Sequence, residues 1–134
     1  MSVDMIGSQT PFNFVVVFNN VQAQAFTVNC QNGFWDSRNK LIESGMVGSV
    51  ETVALSCLAL VTSEVAEAME AVRKHDLKTW GDADTKDTLV RELAGTVIRC
   101  MDLSERFNLP LAQAIVREIE ANAKRGYMHG GKAA

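Results

Sequence analysis

The chain has 134 residues, of which 47% are hydrophobic and 22% are charged, and its formal net charge is −3. This length suits one domain with its own core, and the hydrophobic fraction excludes a chain that is disordered throughout. The small net charge gives no electrostatic reason to expect nucleic acid or an anionic membrane as a partner. We therefore expect a single domain over residues 1–134, with no nucleic-acid or membrane partner.

The sequence also bears on the cellular compartment. Its longest mostly apolar run, residues 53–61, has about half of the roughly 20 residues that a membrane span requires. The N-terminus has no basic stretch followed by an apolar one, so no secretory signal is predicted. Cys30, Cys57 and Cys100 match no zinc or Cys-x-x-Cys pattern, and we interpret them as reduced thiols packed like small apolar residues. These features predict a cytoplasmic protein.

Apolar residues recur every three or four positions in the first half of the chain, which predicts helices. The first helix is predicted from about residue 12 to residue 31, although its VVVF segment is equally typical of a strand. Gly33 then ends the helix as a C-terminal glycine does. The connection that follows has helical character around residues 40–43. A second helix is predicted over residues 50–75, with Ser49 as its N-cap.

Two more helices are predicted in the second half. The third runs from about residue 85 to residue 107 with Asp84 as its cap, and the fourth begins at Pro110 and ends near residue 123. Residues 1–10 are a loose leader, residues 76–83 a polar loop that contains Trp80, and residues 124–134 an irregular tail. The fold class is thus all-α, a bundle of four to five helices. The side chains expected to face its core are Phe14, Val17, Phe18, Val21, Ala25, Val28, Val53, Ala54, Cys57, Leu58, Val61, Val65, Ala68, Met69, Val72, Leu89, Leu93, Val97, Cys100, Met101 and Ser104.

Two glutamates interrupt the apolar stripe of the second helix. Glu64 and Glu67 are three residues apart, so their carboxylates project from neighbouring turns of one face. Carboxylates held side by side repel each other, and they need a cation between them or raised pKa values. A hard divalent metal such as Mg²⁺ takes oxygen ligands in this way. The alternative is a solvated face on which Glu64, Glu67 and Glu70 lie with Arg73.

The third helix carries a polar stripe of its own. Glu92, Gly95, Arg99 and Asp102 follow one another at spacings of three, four and three residues. Pairs of Asp102 with Arg99 and Arg106 on a solvated face would explain the charges without any function. Gly95 remains an anomaly, since glycine inside a helix costs about 1 kcal/mol relative to alanine.

Taken together, these segments resemble the MazG-like superfamily of all-α nucleotide pyrophosphohydrolases. That superfamily has ExxE on one helix and ExxD on the next. The segment SEVAEAMEAVR resembles the first motif, and RELAGTVIRCMDLSERFNLPL resembles the family's "ELADvxxRxxDlaxxxgidl". The segment NAKRGYMHGGK is close to the family's "NxxRpYxHGxK", and GFWD resembles a turn found after the first helix in some members. The resemblance runs from about residue 33 to residue 132.

The resemblance implies a fold of the all-α NTP pyrophosphatase type and a hydrolase. Such an enzyme cleaves a nucleoside triphosphate, often a deoxy or non-standard one, to a monophosphate and pyrophosphate. Glu64, Glu67 and Glu92 would be catalytic and would bind Mg²⁺, with Mn²⁺ as a possible substitute. The family usually forms its site between chains, so a homodimer or homotetramer is expected. The resemblance also implies a set of substrate-binding residues: Trp35, Asn122, Arg125, Tyr127, His129 and Lys132.

Some of these substrate roles have alternatives. Arg125 and Lys132 would offset negative charge on the phosphates. Trp35 would stack on the base, or would instead anchor its loop on the core. Tyr127 and His129 would hold the tail over the phosphates or simply pack it down.

Gly95 departs from the family pattern, because the family has a metal-binding Asp at this position. Loss of one carboxylate of four weakens Mg²⁺ binding, and Asp102 cannot replace it, since seven residues along a helix span about 10 Å. Three interpretations therefore stay open. One is an active but weakened pyrophosphohydrolase, and another is a catalytically impaired relative that binds nucleotides or a protein partner as a sensor or scaffold. The third is an oligomeric helical protein with no small-molecule site.

Overall fold

A computed structural model of the chain describes residues 9–74 and 83–127. Within these residues the secondary structure is entirely helical, so the all-α prediction is confirmed and the strand alternative for VVVF is wrong. The leader up to residue 8, most of the polar loop with Trp80, and the end of the tail with His129 and Lys132 lie outside the described residues. The helices are α1 (Gln9–Gln31), α2 (Asp36–Glu43), α3 (Ser49–Lys74), α4 (Ala83–Arg106) and α5 (Leu111–Arg125).

The turn after α1 forms where the sequence predicts it. Gly33 has a φ of +81°, the left-handed conformation that glycine adopts without steric cost. Its N–H donates to the carbonyl of Cys30 at 3.0 Å, and the N–H of Phe34 donates to the carbonyl of Asn29 at 3.0 Å. This pair of bonds is the Schellman motif, which satisfies the last carbonyls of a helix. The chain therefore turns sharply and sends the next residues back into the core.

Trp35 is the centre of that core. Its side chain is only 1% exposed, and it packs with Val53 and Cys57 of α3. Aromatic rings surround the indole at centroid distances of 5.4–6.5 Å, in the tilted and edge-on arrangements that aromatic pairs prefer. These rings belong to Phe26, Phe34 and Phe107.

Helix α3 makes its most extensive contact with α4, and α4 also packs against α1. Helix α2 lies against α3, and α5 lies against α1. Because α3 and α4 are neighbours, the polar stripes of these two helices can meet.

Several boundaries differ from the sequence prediction. Helix α2 covers eight residues rather than a short turn around residues 40–43. Helix α4 begins at Ala83, so Asp84 lies in the first turn instead of before it. Helix α5 begins one residue after Pro110 and includes Arg125, where an irregular tail was expected. Helix ends are the least determined part of a periodic pattern, because adjacent residues are compatible with either state.

The predicted core is too broad. Val53, Cys57, Ala68 and Met101 are buried as expected, but many of the other apolar positions are more than two-fifths exposed. The periodic pattern identifies apolar faces without showing whether the same chain covers them. The predicted core residues that prove exposed are Val17, Val21, Val28, Leu58, Val65, Met69, Leu93 and Val97.

Helix α3 is long and apolar enough to cross a membrane by length and composition, with a mean hydropathy of 1.4 over its most apolar 18 residues. The uninterrupted apolar run of residues 53–61 is much shorter than α3, so the length of that run did not predict that the whole helix meets this criterion. Core helices of soluble proteins meet the same criterion, so one such helix is weak evidence for a membrane span. In this chain α3 also contributes Val53 and Cys57 to the core.

Candidate metal centre

Helices α3 and α4 bring three glutamates together. Glu64 and Glu67 lie one turn apart on α3, and Glu92 faces them from α4. One carboxylate oxygen from each lies within 4.8 Å of the others. Glu64 and Glu92 are half-buried, and Glu67 is exposed. The three residues that the sequence predicts as catalytic and metal-binding are thus adjacent in space.

The electrostatics of this cluster follow from its three like charges. Partial burial raises the pKa of Glu92 above its usual range, and the negative charges and hydrogen bonding of Glu67 and Glu64 raise it further. A carboxyl group in this position holds its proton more tightly than one in water. A bound cation would relieve the same repulsion.

Arg99 supplies one positive charge at the edge of the cluster. Its Nε lies 3.3 Å from Oε1 of Glu64, and the two side chains are 28% and 21% exposed. The guanidinium carbon also lies 5.1 Å from the centre of the Phe34 ring, within the range of a cation–π contact. Arg99 therefore pairs with α3, and it neutralises part of the charge that a metal ion would otherwise balance.

Gly95 lies directly against the same carboxylate. A Cβ atom at this position would be 2.6 Å from Oε2 of Glu64, closer than any real contact allows. Glu64 thus occupies the space that a side chain at residue 95 would need. The glycine that departs from the family pattern is next to the cluster.

The donor set fits a hard divalent cation. Three carboxylates offer oxygen ligands only, which Mg²⁺ and Mn²⁺ accept and which soft metals do not prefer. Mg²⁺ keeps several waters when proteins bind it, so three protein ligands are sufficient. Glu64, Glu67 and Glu92 would hold the ion, although Glu64 would exchange part of its contact with Arg99.

Trp35 has the second of the two roles that the sequence suggested, since it anchors its turn in the core, and Asp102 does not form the solvated pairs that were considered for it. Trp35 is buried in the core, so no face of its indole is open to a nucleobase, and the stacking prediction is wrong. Its Nε1 donates to both carboxylate oxygens of Asp102 at 3.0 and 3.1 Å. Asp102 is itself 2% exposed, so the solvated pairs with Arg99 and Arg106 are wrong as well. Arg106 donates from Nε to Oδ1 of Asn39 instead.

The described contacts of the tail residues do not involve the three carboxylates. Arg125 donates from Nη1 to Oδ1 of Asn122, one turn earlier on α5, at 3.0 Å. Both side chains are exposed, and Tyr127 is 91% exposed. His129 and Lys132 lie outside the described residues. The structure therefore brings together the three carboxylates that were predicted to bind metal. Its described contacts do not link Asn122, Arg125 and Tyr127, which were predicted to bind substrate, to those carboxylates.

Sequence reasoning missed the parts that Arg99 and Phe34 play. One signal was available for Arg99, because it lies seven residues after Glu92 and four after Gly95, on one face of α4. No signal pointed to Phe34, since its contact depends on the sharp turn after α1.

Comparison with protein-family models, with curated proteins and with solved structures returns no match.

Proposed function

We propose that this protein is a Mg²⁺-dependent nucleoside triphosphate pyrophosphohydrolase with a weakened metal centre. The observation that carries the proposal is the meeting of Glu64, Glu67 and Glu92 from two helices, with their oxygens within 4.8 Å. The motif resemblance in the sequence supplies the reaction, (d)NTP to (d)NMP and pyrophosphate, and the all-α NTP pyrophosphatase type of fold. In this proposal the protein is cytoplasmic.

The chemistry of the cluster supports a phosphate substrate. When bound, Mg²⁺ supplies contacts to phosphate oxygens and activates a water for hydrolysis. Glu64, Glu67 and Glu92 would hold the ion, and because neighbouring carboxylates raise the pKa of Glu92, a bound cation would favour its deprotonated form. Arg99 orients Glu64 through their ion pair.

A second candidate function is a nucleotide-binding relative with impaired catalysis that acts as a sensor or scaffold. The pairing of Arg99 with Glu64 and the lack of a carboxylate at Gly95 favour this candidate. Both reduce the negative charge available for a metal ion, and residual binding without turnover would follow.

One experiment separates the two functions. We expect slow pyrophosphate release by the wild type from a panel of NTPs and dNTPs with Mg²⁺ or Mn²⁺, and at least about tenfold faster release by Gly95→Asp. Gly95→Ala is the matched control, because it adds the same Cβ against Glu64 without adding a ligand. If Gly95→Asp and Gly95→Ala release pyrophosphate at the same rate, the missing carboxylate at residue 95 does not explain the slow release by the wild type.

The remaining outcomes test the proposal itself. Glu64→Ala abolishes release while the far-UV circular dichroism spectrum stays unchanged. If the wild type releases no pyrophosphate while Gly95→Asp does, the result favours the nucleotide-binding relative with impaired catalysis. Detection of nucleotide binding to the wild type by calorimetry would strengthen that conclusion. Silence of all variants together with no binding of Mn²⁺ or nucleotide overturns both functions.

The proposed active form contains more than one copy of the chain. Helix α3 leaves Leu55, Leu58, Val65 and Met69 between 42% and 65% exposed, and their spacing places them on one face. That face is distinct from the one that carries Val53 and Cys57 into the core. We name it the outer α3 face, and we propose that a second copy covers it in a homodimer or homotetramer.

A further inference from the structure

Arg99 has more hydrogen-bonding capacity than its contact with Glu64 uses. Its guanidinium group lies at the edge of the three-carboxylate cluster, where Nε donates to Oε1 of Glu64 at 3.3 Å. Most of the N–H donors of a guanidinium group are on Nη1 and Nη2. In the described part of the chain, neither of these nitrogens donates to another residue, and neither is among the buried nitrogens without a partner. Both nitrogens therefore reach solvent beside Glu64.

The Phe34 ring holds this guanidinium group in place. Cζ of Arg99 lies 5.1 Å from the ring centre, and the N–H of Phe34 donates to the carbonyl of Asn29 in the turn after α1. Arg38 also packs on the ring, at 4.0 Å, but its Nη1 donates to the carbonyl of Phe34 and its Nε is buried. Arg38 thus serves the turn, whereas Arg99 keeps donors for a ligand. A group that is held in place beforehand loses less entropy when a ligand binds.

The charge of the cluster indicates which ligand these donors suit. Three carboxylates together with one divalent ion leave an excess of negative charge, and a triphosphate adds more. A cation beside the ion offsets this repulsion, and the planar guanidinium fork matches the oxygens of a phosphate. Because the Nη groups are only two bonds away from Nε, they lie within a few ångströms of the Glu64 carboxylate. Arg99 can therefore contact Glu64 and a neighbouring phosphate at the same time.

We propose that Arg99 binds the triphosphate of the substrate. Its Nε keeps the contact with Glu64, while its Nη groups donate to phosphate oxygens. The inference rests on the proposed function, because an ion at the three-carboxylate cluster is what brings a triphosphate beside Glu64. Arg99 then supplies, at the cluster itself, the positive charge that the sequence resemblance assigned to Arg125 and Lys132.

The test is isothermal titration calorimetry of the full chain, first with Mn²⁺ and then with inorganic tripolyphosphate in excess Mn²⁺. Tripolyphosphate has no nucleobase, so its binding does not depend on base preference. We expect Arg99→Gln to bind tripolyphosphate at least about tenfold more weakly than the wild type. Its Mn²⁺ affinity does not fall, because the three carboxylates remain and a competing cation is lost. Arg99→Lys also binds tripolyphosphate more weakly, since a single ammonium group lacks the fork that serves two partners.

Arg73→Gln is the matched control. It removes the same charge from a side chain that pairs with Glu70 at 3.6 Å in the last turn of α3, and it leaves both affinities unchanged. Equal tripolyphosphate affinity of the wild type and either Arg99 variant overturns this inference, as does an equal loss in Arg73→Gln.

The proposed function fails by a different result. Glu67→Gln removes one of the three carboxylates, so we expect it to weaken Mn²⁺ binding. If it binds Mn²⁺ as tightly as the wild type does, the metal centre is wrong, whereas the comparison of Arg99 variants concerns the phosphate contact alone. A wild type that binds no Mn²⁺ overturns both, and thermal melts confirm that each variant is folded.

Discussion

Asp102 and Trp35 show what a single buried polar contact does in this core. Asp102 lies on the polar stripe of α4, yet it is buried and accepts the only polar hydrogen of the indole. Burial raises the pKa of Asp102, while the hydrogen bond from Trp35 and the charges of Arg99 and Arg38 lower it, with burial the larger effect. The pair fixes how α4 packs on the turn after α1.

Trp35→Phe tests the contribution of this contact. Phenylalanine keeps most of the apolar surface but leaves Asp102 without its donor, so the free energy of unfolding falls by about 1–3 kcal/mol, with a further loss from the smaller ring. Urea unfolding measures the change. In an Asp102→Asn background we expect Trp35→Phe to lower the free energy of unfolding by less, because a buried neutral amide without a donor costs less than a buried carboxylate without one. An equal loss in the two backgrounds would show that the hydrogen bond between Trp35 and Asp102 contributes little.

The raised pKa of Asp102 also predicts a pH dependence. A carboxyl group with a higher pKa in the folded chain than in the unfolded chain contributes most below the ordinary pKa of Asp, about 3.9, and this contribution declines as the pH rises through the folded pKa. Asp102→Asn removes the decline. Relative to the wild type, this variant becomes more stable as the pH rises from about 3 to about 7.

Urea unfolding across this pH range measures the difference between the variant and the wild type. Glu118→Gln, at an exposed position, is the control. We expect its free energy of unfolding to change with pH in the same way as that of the wild type. A constant difference for Asp102→Asn over the whole range would contradict the prediction.

At the scale of elements, α4 contains a glycine that its helical pattern does not require. The structure relates it to α3, because Glu64 lies where a side chain of residue 95 would lie. The carboxylate is the end of a flexible side chain, so it can move aside. Its pairing with Arg99 is partly exposed, and such pairs contribute about 0–1 kcal/mol.

Gly95→Ala is therefore expected to stabilise the protein. Alanine gains about 1 kcal/mol of helix propensity, and loss of the contact between Glu64 and Arg99 offsets part of this gain, so Tm rises by a few degrees at most. Ala94→Gly is the control at the exposed neighbouring position. It replaces alanine by glycine without involving Glu64, so the fall in its Tm measures the difference in helix propensity alone. A lower Tm for Gly95→Ala would mean that Glu64 cannot move.

At the scale of the whole molecule, the arrangement of apolar surface is the main feature. One face of α3 contributes to the core, and the outer α3 face remains exposed in a single copy. Exposed apolar faces of this kind are typical of surfaces that another chain covers.

Leu58→Glu tests the proposed assembly. It places a charge within the outer α3 face, so light scattering after size-exclusion chromatography is expected to show a monomer in place of a dimer or tetramer. Val47→Glu makes the same type of change in the exposed turn before α3 and leaves the mass unchanged. A monomeric wild type would contradict the prediction.

The sequence by itself determined the helical class, the approximate helix positions and the turn at Gly33, because these depend on periodicity and local backbone preference. It also placed Glu64 and Glu67 on one face. The tertiary structure decided that Glu92 joins them and that Gly95 abuts Glu64, since the packing of α3 against α4 sets both contacts. It also decided that Trp35 and Asp102 are buried together, a long-range pairing that no local pattern records.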